Sequence, residues 1–383
     1  VLGALGLLTV LIWLSIALAR GFFWTINNKL LPEERFGQAR RVAVVIPARN
    51  EAASIAETIE SLLRQDLTGA LSIFLVDDDS SDGTAEIARF AAGRQHASDQ
   101  LEVLRSRPLR SGWTGKMWAV SQGVAEAIRW QPDFLLLTDA DTSHAPDNVS
   151  RLIAVAERYG YDLTSLMVKL RCSNVAERLL IPAFVYFFLL LYPPAWIQSR
   201  RRKAAGAAGG CMLVRPGALE RMGGIESIRD EIIDDCALAR GIKRGGGSVW
   251  LGLTTTTLSH RAYQGFAEIE QMISRTAFNQ LRHSALLLAG TVVGLICTYL
   301  LPGLVFGWAL GNRQVDAMAL GGVAWLLMTI TYLPMVRFFG LNAAWAFTLP
   351  GAAVFYLVAT IHSAWKHWSG RGGEWKGRAQ DRR

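Results

Sequence analysis

The chain has 383 residues, of which 51% are hydrophobic and 19% charged, and its formal net charge is +8. A mean hydropathy of +0.23 is high for an ordinary water-soluble enzyme. The cations gather beside apolar segments, which points to anionic lipid headgroups and away from nucleic acid. The cysteines, Cys172, Cys211, Cys236 and Cys297, show no CxxC spacing and are expected to stay reduced.

Residues 1–19, "VLGALGLLTVLIWLSIALA", carry no charge and would reach roughly 28 Å as a helix, about one hydrocarbon core. They predict a membrane anchor over 1–20; a cleaved signal peptide is disfavoured because no basic region precedes them. Arg20, Lys29, Arg35, Arg40 and Arg41 follow, so the positive-inside bias places the central domain in the cytoplasm.

"RRVAVVIPARN" (40–50) is a short β-branched run ended by Pro47, the pattern of a buried parallel strand. A helix follows, with Ile55, Ile59, Leu62 and Leu63 on one side, then the strand "LSIFLVDD" and the helix "AEIARFAA". The strand "LEVLR", the helix "GKMWAVSQGVAEAIR" and the strand "DFLLLTDAD" complete the series. Such alternation predicts an α/β, mostly parallel Rossmann-like sheet whose ligands lie at the carboxyl ends of strands. No GxGxxG turn follows the first strand, which disfavours a dinucleotide enzyme.

The acids fall at those strand ends. Asp77, Asp78 and Asp79 close the second strand; one carboxylate could cap the next helix, but three in a row suggest that Asp77 or Asp78 accepts hydrogen bonds from a base or ribose. Asp139 and Asp141 stand two apart, and in an extended segment both would face one site and hold Mg2+ or Mn2+. Asp234 and Asp235 begin another predicted helix, where capping accounts for one acid and the second suits a general base. Lys116, a cation at a helix start, needs an anionic partner, either a diphosphate or a nearby acid. His144 and His260 are candidates for assisting a metal or leaving group, although a histidine so placed is more often a polar loop or core residue.

"LLIPAFVYFFLLLYPPAWI" (179–197) is long enough to span, yet crossing there would separate Asp139 from Asp235, so it is expected to lie in the interface. Tyr192 and Trp196 would then sit at headgroup depth, with Arg200, Arg201, Arg202 and Lys203 on phosphates. Residues 266–283 predict an amphipathic interface helix with Phe266, Ile269, Ile273, Phe278 and Leu281 on its apolar side, though core packing alone could explain both segments. Apolar stretches 285–310, 317–336 and 343–361 predict three further membrane helices in the region 285–361, before a basic tail over 362–383. Four spans put both termini opposite the central domain, so either that tail is external despite its charge or one segment dips in without crossing.

Taken together, "VVIPARNE", "VDDDSSDGT", "GKMWAVSQG", "TDADT", "GGCMLVRPGALERMGG" and "IDDCALA" resemble the inverting family 2 glycosyltransferases in wording, order and spacing over about 200 residues. With the membrane segments and "RTAFNQLR", the chain resembles more narrowly the bacterial hopene-associated glycosyltransferases. The resemblance implies a GT-A type domain over 40–265 and a metal-dependent enzyme of the bacterial inner membrane that moves one sugar from a nucleotide-diphosphate donor, UDP-linked by expectation, to a lipid hydroxyl, hopanoid-related in the narrow reading. It implies nucleotide contacts at Pro47, Ala48, Arg49, Glu51, Asp77, Asp78, Lys116 and Asp139, and metal contacts at Asp141, Asp139 and His260. Asp235 falls at the base position with Asp234 as its supporting acid, where the family has Glu; Arg275 and Arg282 are candidates for phosphate or acceptor. Processive members carry Gln-x-x-Arg-Trp, whereas "QLRHS" has no Trp, so a single transfer is expected. The alternatives are a polyprenyl-phosphate glycosyltransferase and a non-catalytic membrane scaffold built on a degenerate transferase domain.

Overall fold

The computed structural model describes residues 1–370, together with the backbone of 374–375 and 378–379. In chain order the elements are α1 (Leu2–Ala19), β1 (Arg40–Ala48), α2 (Ile55–Leu63), β2 (Gly69–Asp77), α3 (Thr84–Arg94), β3 (Leu101–Arg105), α4 (Gly115–Arg129), β4 (Phe134–Thr138) and β5 (Thr142–Ser143). Next come α5 (Asn148–Tyr159), β6 (Leu163–Lys169), α6 (Val175–Leu191), α7 (Pro194–Ile197), β7 (Cys211–Val214), α8 (Pro216–Arg221), α9 (Asp234–Arg244) and β8 (Val249–Ser259). The helices α10 (Phe266–Gln280), α11 (Ala285–Leu295), α12 (Leu301–Gly311), α13 (Val315–Phe338) and α14 (Leu349–Trp368) close the series. They form two compact units, one of Lys29–Arg171 and Trp196–Ala262, the other of Val1–Asn28, Cys172–Ala195 and the chain from Tyr263 through α14.

The first unit is an α/β domain of the GT-A type, built on one sheet ordered β3-β2-β1-β4-β7-β6-β8-β5. The pairs β1–β2, β1–β4, β2–β3 and β6–β8 are parallel, while β7 runs antiparallel to both β4 and β6 and β5 antiparallel to β8. Strand alternation gives β1 two apolar faces. Val42, Val44, Ile46 and Ala48 join Ile55 and Ile59 of α2, Ala88 and Ala91 of α3 and Leu152 of α5 in one core. Val45 points the other way, where Gly123 lets α4 approach closely. The parallel left half brings the carboxyl ends of β2, β1 and β4 side by side, with Ala48 in register with Asp77.

The second unit is helical. Five helices among the described residues are long and apolar enough to cross a membrane: Leu2–Ala19, Val175–Ile197, Ala285–Gly311, Val315–Phe338 and Ala343–Trp368. The expected segment 179–197 thus begins earlier, at Val175, because Asn174 and Glu177 form a reciprocal capping box there. It packs among its neighbours: the Tyr186 hydroxyl pairs with that of Thr331 on α13, and Tyr356 on α14 donates to the Leu180 carbonyl. On α10, Ile269, Ile273 and Phe278 are buried and Phe266, at its start, is exposed. The expected tail 362–383 begins inside α14, and beyond Gly370 it lies outside the fully described residues.

A Cβ added at Gly123 would stand 2.5 Å from Val45 Cγ1 and 2.9 Å from Val76 Cγ2, whereas one at Gly93 of α3 would meet nothing nearer than Ser98 Oγ at 3.8 Å. Gly123→Ala should therefore lower the thermal midpoint of the purified protein by an amount equivalent to about 1–3 kcal/mol of overpacking. Gly93→Ala should leave the midpoint unchanged or raise it slightly.

Candidate active site

The ends of β1 and β2 are stitched together by their own loops. The Asp78 amide donates to the Ala48 carbonyl at 2.8 Å, and the Arg49 guanidinium bonds the Asp78 carbonyl and lies 3.7 Å from its carboxylate. Asp78 is only 1% exposed, so Arg49 is its counter-charge. Asn50 and Glu51 donate backbone N–H groups to Ser80 and Thr84, and Ala52 donates to Asp82, which also accepts from Thr84. Asp82 therefore does the structural task of the acidic turn. Asp77, half-buried at the strand end, accepts from Ser80, so the base-contact expectation rests on Asp77 and Asp78.

Lys116 organises the opposite wall. Thr114 caps α4 by accepting from the Met117 amide at 3.3 Å, and its own N–H donates to the Arg229 carbonyl at 2.9 Å, which clips α4 to the loop entering α9. The Lys116 ammonium then lies 3.0 Å from Asp139 Oδ1 and 3.1 Å from Asp234 Oδ2. Burial disfavours its charge, but Asp139, Asp234 and Asp235 outweigh that and raise its pKa above the ordinary lysine value. Pro47, Lys116, Thr138, Asp139, Gly209 and Asp234 line one open cleft.

Asp235 is aimed by backbone donors: Oδ1 accepts from the Cys236 amide at 2.6 Å and Oδ2 from the Gly209 amide at 3.0 Å. Burial, and then the neighbouring Asp234 charge, push its carboxyl up to about 7, against the lowering pull of those amides and Lys116. Gly209 is a contact that sequence reasoning missed; the only hint was the pair of glycines before β7. Its loop is fixed by Ser165, whose hydroxyl bonds both the carbonyl and the amide of Ala208. Gly210 cannot take a side chain without meeting Val168 at 2.9 Å.

Of the two readings open to His144, the structure gives the core residue. It is 4% exposed; Asn148 donates to Nδ1 at 3.0 Å, which leaves Nε2–H to donate to Thr138 Oγ1, also at 3.0 Å. Thr138 in turn donates to the Gly210 carbonyl at 2.7 Å, and Thr257 donates to Asn148. Burial pushes the imidazole down to about 3, so it is neutral. A single polar chain thus runs from β8 to the Gly209–Gly210 loop beside Asp235.

The DxD pair also needs correction. Asp139, Ala140 and Asp141 lie in the turn between β4 and β5, not in an extended segment, and Asp139 is engaged by Lys116. Thr58 donates to the Ala140 carbonyl at 2.9 Å and the His260 amide to the Asp141 carbonyl at 2.8 Å, which pin the turn. His260 Nε2 is buried without a hydrogen bond; Glu57 Oε1 stands 3.3 Å away but outside bonding geometry. Among the described residues no three His, Cys, Asp or Glu side chains converge on one point. Hard divalent cations in nucleotide sites commonly take one or two carboxylates and complete their shell with water and substrate phosphates. Asp139 and Asp141, two carboxylates on one turn, are of the kind such a partial donor set requires. Arg275, exposed on α10, and Arg282, just beyond it with φ +51°, belong to the helical unit.

Residues 43–223 match the family described as glycosyl transferase family 2. An undecaprenyl-phosphate 4-deoxy-4-formamido-L-arabinose transferase of Photorhabdus laumondii is 33% identical over 130 residues, 33% of this chain and 37% of that protein. A transferase of the same description from Pseudomonas savastanoi is 34% identical over 177 residues, 45% of this chain and 46% of that protein. An N-acetylglucosaminyltransferase of Rhizobium leguminosarum is 28% identical over 193 residues, half of this chain and 41% of that one. The chain thus spans less than half the length of each of these relatives. A mannosyltransferase of Pyrobaculum calidifontis, solved with GDP-Man and Mn2+, shares the fold with a TM-score of 0.56 at 18% identity, over 96% of this chain and 99% of that one.

The depressed pKa of His144 has a consequence for stability. Below about pH 6.5 an unfolded imidazole takes up a proton, while the folded one, held near 3, does not, so stability falls as pH drops through that window. His144→Gln should give a shallower loss of thermal midpoint between pH 7 and pH 4.5 than the wild type.

Proposed function

We propose that this chain, whose residues 43–223 form a family 2 glycosyltransferase domain, moves one sugar from a nucleotide-diphosphate donor to a polyprenyl-phosphate-type lipid at a membrane. The observation that carries the reading is the Lys116 ammonium, shared between Asp139 at the end of β4 and Asp234 at the start of α9, with Asp235 beside it in the same cleft. Pro47, Ala48, Arg49, Glu51, Asp77 and Asp78 would hold the nucleoside, with Asp78 oriented by Arg49. Asp141, Asp139 and His260 would hold Mg2+ or Mn2+. That ion, when bound, neutralises charge on the departing diphosphate. Lys116 has a third N–H with which to bond a diphosphate oxygen. The acceptor oxygen bonds the anomeric carbon as the carbon–diphosphate bond breaks, in one in-line step that inverts the centre.

The acceptor class is supported by the two relatives described as undecaprenyl-phosphate 4-deoxy-4-formamido-L-arabinose transferases, and by the apolar helices of the second unit. They favour a phosphate lipid over the hopanoid-related one expected from sequence. Arg275 and Arg282 are proposed as contacts to the lipid phosphate. Anionic headgroups would meet Arg200–Lys203, where Arg202 lies over Trp196 and Lys243 ties down the carbonyls of Ser199, Arg202 and Ala204. We place the domain on the cytoplasmic face of a bacterial inner membrane on the strength of the bacterial relatives and the positive-inside bias.

A second reading, transfer to a lipid hydroxyl, is favoured by Asp235. A hydroxyl must lose a proton as it attacks, and a carboxyl raised to about 7 is suited to take it. A phosphate is already ionised and needs no base.

The test is a donor screen on purified protein with total membrane lipid and Mg2+ or Mn2+, with the product identified by mass. A sugar gained by a polyprenyl phosphate is expected; a gain only on a hydroxyl lipid overturns the acceptor assignment. Asp235→Asn should keep most activity with a phosphate acceptor, but lose roughly 10²–10⁴-fold with a hydroxyl one. In the hydroxyl case kcat/KM should rise with pH through about 7, because the base acts deprotonated. Asp234→Asn, which removes the like charge, should move that limb to lower pH. No transfer to any lipid, combined with UDP binding that no longer needs a metal, would leave only the scaffold reading.

A further inference from the structure

The cation that stands among the acids of this cleft belongs to the chain itself. Of the two carboxylates that hold Lys116, Asp139 keeps 39% of its side-chain surface and Asp234 only 16%, while Lys116 keeps 22%. The α4 backbone beneath it is fixed by the Thr114–Arg229 hydrogen bond, so any movement must come from the flexible lysine stem. An ammonium bonded to Asp139 repels a divalent ion seeking the same carboxylate, and at this separation the repulsion in a partly buried site is worth an order of magnitude or more in affinity. Asp141, the other acid of that turn, offers too few donors to hold the ion alone.

We infer that Lys116 is an internal counter-ion that keeps the divalent-cation site closed until a nucleotide diphosphate arrives. The diphosphate draws the ammonium off the more open Asp139 while the more enclosed Asp234 retains it as an anchor. Asp139 is thereby released to the metal, and the diphosphate supplies the oxygens that the protein lacks. Metal and nucleotide then bind with mutual dependence: each raises the affinity for the other by the same factor. The inference rests on the metal-dependent reading above and adds an order of events to it.

The experiment titrates Mn2+ against the full-length, detergent-solubilised protein by electron paramagnetic resonance, with and without UDP. Wild type should bind Mn2+ weakly alone and at least about tenfold more tightly with UDP. Lys116→Gln should bind Mn2+ without UDP about tenfold more tightly than wild type, and UDP should then add little. Lys116→Arg, which keeps the charge, should retain the wild-type pattern; Lys116→Met repeats the test if the glutamine variant unfolds early. Wild type that binds Mn2+ equally well with and without UDP overturns the inference without recourse to any variant. So does a Lys116→Gln protein no tighter than wild type in the absence of UDP. A wild type that binds no Mn2+ even with UDP overturns the metal reading itself, and this inference with it.

Discussion

Three carboxylates cannot share a small cleft without a cation, and in this protein Lys116 meets that constraint. Asp139 arrives at the end of β4, Asp234 and Asp235 at the start of α9, nearly a hundred residues later in the chain. Their mutual repulsion would push the two elements apart; the ammonium 3.0 and 3.1 Å from two of them turns repulsion into a joint. A lysine at a helix start is mildly unfavourable by itself, because the dipole there is positive. The acids repay that cost, so the position of the cation makes sense only once the chain has folded.

Asp235 depends on a different kind of support. Its two oxygens are committed to the Gly209 and Cys236 amides, which fix the carboxylate plane. The Gly209 amide is itself placed by neutral hydrogen bonds: Ser165 on Ala208, and the chain from Thr257 through Asn148, His144 and Thr138 to the Gly210 carbonyl. Each member has its donor direction set by the next. A charged histidine would reverse the Asn148 bond, and burial prevents that charge. The charged side of the cleft is thus built on an uncharged, fully bonded frame, which is how a buried polar network rigidifies and does not destabilise.

Much of the domain was legible because its periodicity is strong. The strand "LEVLR" is β3, Leu101–Arg105, and the helix "GKMWAVSQGVAEAIR" is α4, Gly115–Arg129, residue for residue. The acids fall at the carboxyl ends of strands, as the parallel series requires. What was not legible depends on partners far along the chain. Nothing local shows that β7 enters antiparallel between β4 and β6, that the DxD bends into a turn, or that His144 is walled in by Asn148 and Thr138. Gly209 contributes an amide, and a backbone donor leaves no trace in residue type. The four-residue error at the start of α6 has the same origin. Glu177 reads as a surface charge but is fully buried, accepting from the amides of Ser173, Asn174 and Tyr263.

The helical unit solves the opposite problem, that of joining apolar elements with few charges. At two places in this unit an aromatic donor from one helix bonds a main-chain carbonyl of another. The π turn at Ile296–Leu300 presents the Thr298 carbonyl, and Trp13 Nε1 donates to it at 2.8 Å. In α6, which carries Pro182 inside, the Leu180 carbonyl accepts from the Tyr356 hydroxyl at 3.0 Å. Within apolar surroundings such bonds specify which helix faces which, because dispersion alone would let apolar helices slide and rotate. At one seam of this unit Glu270 on α10 meets His362 and Lys366 on α14, near the end of the last apolar helix. Helices joined by such carbonyl bonds and by a seam of this kind can keep much apolar surface suited to lipid, while the α/β unit holds its own highly charged cleft.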